Sequence, residues 1–249
     1  RDRVAPLSIP LLARALGWEM AFVIIGALGF VWMGFWMRMY AAPEDSSHVN
    51  AAELAYIRQD EAGETEQQIE AEEHDTIPFW RCFTFRQTWA FITGKALTDG
   101  VWWFFLFWTP AYFSDQYGYA SYTPMGQALI FTLYLIVTVV SIGGGYLPKL
   151  FVERRGMNPY AGRMRAMLIF AFMPVLALLA QPLGVYSAWW PAIIIGIACA
   201  GHQAWSANLY STIGDMFPTS TVASIVGIGT MAGGIGSYII NKGSGMFFD

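Results

Sequence analysis

Between Trp189 and Pro218 the chain reads WWPAIIIGIACAGHQAWSANLYSTIGDMFP, and His202, Gln203, Trp205, Ser206 and Asn208 crowd the middle of this apolar run. Polar groups are costly in hydrocarbon, so a helix carrying several of them turns them toward a cavity or another helix. In a second apolar run Lys95 and Asp99 stand four apart, a spacing that lets them pair on one helix face. The chemistry on offer is recognition and charge handling. Amides and a hydroxyl can hydrogen-bond a polar solute, an ammonium can hold a carboxylate, and an imidazole titrates near neutral pH. Redox and metal chemistry find little support. Cys82 and Cys199 are the only cysteines and the three histidines are scattered, so neither a disulfide framework nor a zinc constellation assembles from them.

Each of these residues has a structural alternative. His202, Trp205 and Leu209 share one face by three- and four-residue spacing, with Gln203 and Ser206 on an adjoining strip. The five do not all point one way, so some serve helix packing. For Gln203, Ser206 and Asn208 the choice is solute contact or interhelical hydrogen bonding. For His202 it is a proton relay or a packed, hydrogen-bonded ring. Lys95 and Asp99 are either a structural ion pair, which lowers the cost of both charges in a membrane, or a pair that a solute carboxylate opens by competing for Lys95. Trp102 and Trp103 follow Asp99 by a turn; one can stack on a solute while the other faces lipid, and spacing does not choose between them.

The elements that carry these groups follow from composition. The chain is 55% hydrophobic and 13% charged, with a mean hydropathy of +0.41, where soluble domains carry about 25% charged residues. A bilayer core of roughly 30 Å takes about 20 apolar residues per helix. Six runs qualify: Trp18 to Tyr40, Trp89 to Phe113, Gly126 to Leu147, Ala166 to Leu183 with a kink at Pro174, Trp189 to Gly214 and Thr221 to Ile240. Val4 to Leu12 reads as the tail of an earlier helix. The abrupt start without Met and the abrupt stop lead us to expect a fragment.

Net charge is −4, but eleven of the eighteen acids fall between Ala41 and Trp80. Lys149, Arg154, Arg155, Arg163 and Arg165 lie between the third and fourth runs. Arg38, Arg81 and Arg86 lie an even number of crossings away, and the loops on the opposite side hold no Lys or Arg. Basic residues in short loops favour the cytoplasm, so both sets are expected there. The segment from Ala41 to Arg86 is then a cytoplasmic linker. Asn50 and Glu53 make a capping pair for a short helix, and ETEQQIEAEEHD is too acidic to build a core. No basic stripe points to nucleic acid.

Several stretches together carry a resemblance to the hexuronate branch of the anion:cation symporters, within the major facilitator superfamily. GWEMAFVIIGALGFVWMGFW resembles the family's helix six, NAAELAYIRQDE its linker helix, and GKALTDGVWWFFLFWTPAYF its helix seven, where many relatives have Pro in place of Gly100. SIGGGYLPKLFVERRG is similar to the end of helix eight and the turn beyond it. GHQAWSANLYSTIGDMFP followed by VASIVGIGTMAGGIGS is the strongest match. The resemblance implies an all-α polytopic membrane helix bundle with the major facilitator fold, covering about helices six to eleven of twelve. Residues 1–40 would end the N-terminal half, 41–86 link, and 87–249 form the C-terminal half. Arg1, Asp2 and Arg3 depart from the pattern, standing where the family has small or apolar residues of helix five.

On that resemblance the expected activity is secondary transport of a hexuronate by proton symport, as a monomer when intact, in a bacterial inner membrane, with no cofactor beyond the coupling proton. The family's proton-coupling carboxylates and its substrate-binding arginine belong to early helices that this stretch does not include. The expected substrate-facing set is Gln203, Ser206, Asn208, Trp205, His202, Lys95, Trp102, Trp103 and Thr230. Asp99, Arg154, Arg155, Gly229 and Gly233 are expected to gate or to pack. Arg154 and Arg155 form a basic turn with Gly156, read as a gate, as plain topogenesis, or both. Gly229 and Gly233 are spaced for close helix approach, as are Ala223 and Gly227. GIGTMAG also fits a dinucleotide fingerprint by letter, but it lies inside an apolar span without the strand that motif needs. Rival expectations are carriage of an aldonate, aldarate or other organic anion, and a sugar-acid sensor that does not transport. No nucleophile–base pair or metal set sustains a membrane enzyme.

Overall fold

Apolar runs interrupted by Gly, Pro and Asn produce long helices joined by short turns. The computed structural model describes residues 12–13, 16–43, 45–46, 48–57 and 77–248, and among these no strand occurs. The chain divides into two units, residues 8–76 and Ile77 onward. The expectations for residues 1–11 and for ETEQQIEAEEHD lie outside the described residues.

In the first unit α1 (Trp18–Met39) is apolar on every side. Phe22, Phe30, Trp36 and Met37 are all exposed, an arrangement that suits lipid and not water. Arg38 stands in its last turn, where Tyr40 donates its N–H to the Trp36 carbonyl. The short α2 (Ala51–Ile57) starts where the Asn50 side chain accepts the Glu53 N–H at 2.8 Å, the first half of the expected capping pair.

In the second unit a 3₁₀ turn, Phe79–Thr84, leads into α3 (Arg86–Tyr117). Gly118 ends α3 in the left-handed region at φ 70°, donating to the Phe113 and Ser114 carbonyls. Then come α4 (Pro124–Gly144), opened by Thr123 accepting the Gly126 N–H, and α5 (Tyr146–Arg155). Next is α6 (Pro159–Phe172), capped by Asn158. The kink expected at Pro174 is a change of helix type: α6 gives way to a 3₁₀ segment, Met173–Leu179, and α7 (Ala180–Gly184) completes the crossing. Proline removes one backbone donor and crowds the preceding turn, which the tighter winding accommodates. The bundle ends with α8 (Trp189–Met216) and α9 (Thr219–Phe248).

By length and apolarity Trp18–Met39, Pro124–Arg155, Pro159–Gly184 and Ser220–Phe247 suit a membrane span. The other two long helices, α3 with 32 residues and α8 with 28, reach about 48 and 42 Å at ~1.5 Å per residue. Length is not what sets them apart; they carry the polar side chains. The third run is also longer than read, because only Gly145 separates α4 from α5. Arg154 and Arg155 therefore end a helix and do not form a turn. Gly156 terminates that helix at φ 60°.

Helix α8 is the central element of this unit. Its small residues let neighbours approach closely: a Cβ on Gly196 would lie 3.1 Å from the Leu133 carbonyl of α4, and one on Gly201 would lie 2.4 Å from the Met173 side chain. Between α3 and α9 the contact is closer still. A Cβ on Gly229 would meet the Phe91 ring at 2.0 Å, one on Gly233 would meet Asp99 Oδ2 at 2.2 Å, and one on Gly236 would meet the Ala96 carbonyl at 1.9 Å. The expected approach at Gly229 and Gly233 is present, and it continues to Gly236. Ala223 and Gly227 do not share it: both are exposed, and nothing lies within 4 Å of a Cβ placed on Gly227.

Candidate functional site

The middle of α3 lies against the middle of α8, and there the buried polar side chains converge. Lys95 is 4% exposed and Asp99 9%, and Lys95 Nζ donates to Asp99 Oδ1 at 2.7 Å. From α8, Ser206 Oγ accepts a longer bond from the same ammonium at 3.3 Å. The Tyr210 ring lies beneath Nζ, 4.6 Å from ammonium to centroid, a cation–π distance. His202 Nε2 stands 3.7 Å from Asp99 Oδ1, and the Trp102 ring lies parallel to the imidazole with centroids 6.3 Å apart. One buried cation is thus met by a carboxylate, a hydroxyl and an aromatic face, with an imidazole on the far side of the carboxylate.

The local reasons are plain in the helix repeat. On α8, His202, Ser206 and Tyr210 are spaced by four and fall along one strip. On α3, Lys95, Asp99 and Trp102 do the same at intervals of four and three. The two strips face each other because Gly94 leaves room for α8: a Cβ there would already sit 3.3 Å from the Trp205 ring and 3.6 Å from Leu209. Behind Asp99, the bare surface of Gly233 on α9 receives Oδ2.

The other sequence candidates take varied places. Trp102 turns inward, packing on the apolar cluster that holds Leu133, Ile195 and Cys199. Trp103 turns outward and stacks on the exposed Phe107. Gln203 is half-buried, and its side chain forms no hydrogen bond with another described residue. Trp205 is half-buried against α3 and the Ala166–Phe170–Ala204 cluster. Thr230 on α9 is exposed, donates to the Val226 carbonyl at 2.8 Å and meets the Tyr210 hydroxyl at 3.2 Å.

Asn208 does not join Lys95. It gives its amide to the Ala204 carbonyl of its own helix at 2.8 Å and lines a cavity of about 430 Å³ at the Arg-rich end with Lys149, Glu153, Arg163 and Ser211. Two residues from Ser206 is about 200° around a helix at ~100° per residue, which accounts for the separation. At this end Arg163 pairs with Asp215, tying α6 to α8, while Arg154 and Arg155 are exposed and pair with no acid among the described residues. A second cavity, of about 400 Å³, opens at the other end between Trp108, Thr109, Tyr112, Asp115 and Gln181.

Tyr210 is the residue that sequence reasoning missed. Its signal was available, since extending the His202–Ser206 strip by four residues reaches it. The Arg163–Asp215 pair was missed as well, and there spacing offers no signal because the partners sit on different helices.

The sequence model of the Major Facilitator Superfamily matches residues 4–240. The chain is 28% identical over 246 residues to the hexuronate transporter of Escherichia coli K12, covering 94% of this chain and 53% of that protein. It is 26% identical over 179 residues to the galacturonate transporter of Dickeya chrysanthemi, covering 69% of this chain and 48% of the relative. Over a shorter stretch of 110 residues it is 27% identical to the D-galactonate transporter of E. coli O6:H1, covering 43% of this chain and 26% of that protein. The chain spans about half the length of the curated relatives that it matches over most of its own length.

Proposed function

Since the chain belongs to the major facilitator superfamily, we propose that it supplies about helices six to eleven of a secondary transporter that carries a hexuronate together with a proton by alternating access. On this reading α1 closes the N-terminal half, and α3 to α9 contribute helices seven to eleven. One observation carries the anionic substrate: a buried ammonium, Lys95, held by its own helix's Asp99 near the middle of two crossing helices. In transporters of this type the substrate site lies near the bilayer midplane, and one helical half rocks against the other around it. A cation there is retained when an anion uses it. The relatives are hexuronate and galacturonate transporters, and they supply the class of anion.

In this reading the substrate carboxylate takes Lys95 from Asp99. Ser206 and Gln203 offer hydrogen bonds to sugar hydroxyls, and Tyr210 and Trp102 offer flat faces to its C–H side. Rocking is served by the glycine contact between α3 and α9, where Gly236 lies against the Ala96 backbone and Gly229 and Gly233 present bare surface to Phe91 and Asp99. The exposed apolar belts of α1 and α9 support a multi-pass membrane protein; the basic loops favour a cytoplasmic linker, and a bacterial inner membrane is the proposed location. The work is translocation and not chemical conversion.

The test is uptake of labelled galacturonate by the full-length protein in proteoliposomes, with and without an inward proton gradient. Gradient-dependent accumulation that glucuronate competes is the expected result; none from folded protein would sink the hexuronate reading. A second reading, carriage of an aldonate, is favoured by the galactonate relative, and galactonate in the same assay decides between them. Within the site, Gln203→Ala is expected to raise the KM for uptake several-fold with the amount of inserted protein unchanged. That follows from an amide without a protein partner, whose loss leaves nothing unsatisfied. Unchanged kinetics would remove Gln203 from the site.

A further inference from the structure

Among the buried polar groups of the α3–α8 cluster, the His202 imidazole is the one left without a hydrogen bond at either nitrogen, although the residue is only 6% exposed. Buried polar groups in folded proteins are nearly always paired, and an unpaired one calls for a reason. Nε2 stops 3.7 Å from Asp99 Oδ1, beyond the ~3.2 Å limit of an N–H···O bond. That same oxygen is the one held by Lys95 at 2.7 Å. The other carboxylate oxygen, Oδ2, is pressed on Gly233. Oδ1 therefore stands between an ammonium that holds it and an imidazole within a small shift of doing so.

The charged and titratable groups around this histidine are few. Lys95 and Asp99 face it from α3. Tyr210 and Cys199 lie on its own helix, and Tyr134 of α4 packs on the cluster that includes Cys199 and Trp102. From α6 and the Met173 turn, the neighbours of the adjacent Gly201 are Phe170 and Met173, neither of which titrates. From α9, Asp99 meets the bare surface of Gly233. Lys95 and Asp99 thus cancel each other, and a neutral imidazole keeps the site neutral.

An entering carboxylate upsets that balance. If it takes Lys95, Asp99 is left as a buried anion without a cation, which a low-dielectric interior disfavours strongly. One proton on His202 restores neutrality. Resting on the sugar-acid transport reading above, we propose that His202 is the proton site of this half of the transporter, taking up one proton from water as the substrate carboxylate displaces Asp99 from Lys95. The proton forms an N–H bond at Nε2, and the imidazolium holds Asp99 Oδ1 until the sugar acid leaves; the proton then returns to water and Lys95 recaptures Asp99. No electrons change hands, and one proton accompanies one monoanion through this half.

The experiment uses the full-length transporter in proteoliposomes, wild type beside His202→Gln and His202→Asn, with three readouts: galacturonate exchange across the membrane without a gradient, uphill accumulation under an inward proton gradient, and proton uptake on adding galacturonate to weakly buffered protein. The expected result is that the variants lose uphill accumulation by a much larger factor than they lose exchange, and take up one proton fewer per galacturonate bound. Variants that accumulate substrate and take up protons as the wild type does overturn the proposal while leaving the transport reading intact. A wild type that moves no galacturonate overturns the transport reading, and the proposal falls with it. If neither variant folds, ¹⁵N-histidine spectra of the wild type decide: an imidazolium signal that appears with galacturonate supports the proposal, and no histidine changing its protonation overturns it.

Discussion

Lys95→Ala is expected to reduce the folded, inserted protein sharply and to abolish sugar-acid uptake, whereas Lys95→Ala with Asp99→Ala is expected to recover folding without recovering uptake. The first variant leaves Asp99 as a buried carboxylate at the centre of the bundle, with only the Nε2 of His202 at 3.7 Å in place of the ammonium at 2.7 Å. Breaking a buried pair by removing one partner costs about 3–5 kcal/mol, a large share of the ~5–15 kcal/mol that holds a typical protein folded. Removing both charges takes away the desolvation cost along with the attraction, which is why the double variant is expected to fold. The cycle also separates the two readings of the pair. Insertion and thermal unfolding in detergent report the structural part, and galacturonate uptake reports the functional part. A double variant that transports like the wild type would reduce Lys95 and Asp99 to a structural pair, and a single Lys95→Ala variant that folds and transports normally would sink both readings.

How far this site was legible in the sequence depends on what helix periodicity can carry. The Lys95–Asp99 pair was legible because both partners sit on one helix, four residues apart, and needed no knowledge of any neighbour. The separation of Asn208 from Ser206 was legible for the same reason, as was the break at Pro174, where the covalent structure of proline acts locally. Hydropathy placed the crossings in α1, α4, α6 and α9. It read spans in α3 and α8 as well, and these two are the less apolar ones, because the polar residues that make them interesting lower their apolarity. What periodicity cannot carry is which helix lies opposite. That His202 would face Asp99, that Ser206 would reach Lys95 and that Trp102 rather than Trp103 would turn inward are outcomes of packing between residues about a hundred positions apart. The glycines show the same limit. Gly227, Gly229 and Gly233 look alike as letters, yet only the last two lie under another helix, so the close-approach motif was half right.

That contrast between glycines supports the second large effect, which the exposed ones control. Gly236→Val is expected to separate α3 from α9 and to lower the unfolding temperature of the detergent-solubilised protein by roughly 6–12 °C, from ~2–4 °C per kcal/mol for a chain of this size and an overpacking cost of about 3 kcal/mol. A Cβ at this position would come within 1.9 Å of the Ala96 carbonyl, and backbone cannot turn aside as a flexible side chain can. Gly233→Val is expected to act similarly and also to push Asp99 Oδ2, 2.2 Å from the new Cβ, out of its place beside Lys95. It should therefore lose uptake even where folded protein survives. Gly229→Val meets the edge of the Phe91 ring, which can rotate or shift, so its loss should be the smallest of the three. Gly227→Val and Gly234→Val have nothing within 4 Å of the added Cβ and should unfold within a degree or two of the wild type, since surface changes away from special features are worth within about 0.5 kcal/mol. Equal losses at all five positions would mean that helix propensity and not contact sets the effect, because valine costs each helix the same wherever it is placed. Loss confined to positions 229, 233 and 236 would identify the α3–α9 seam as the contact on which both the fold and the placement of Asp99 depend.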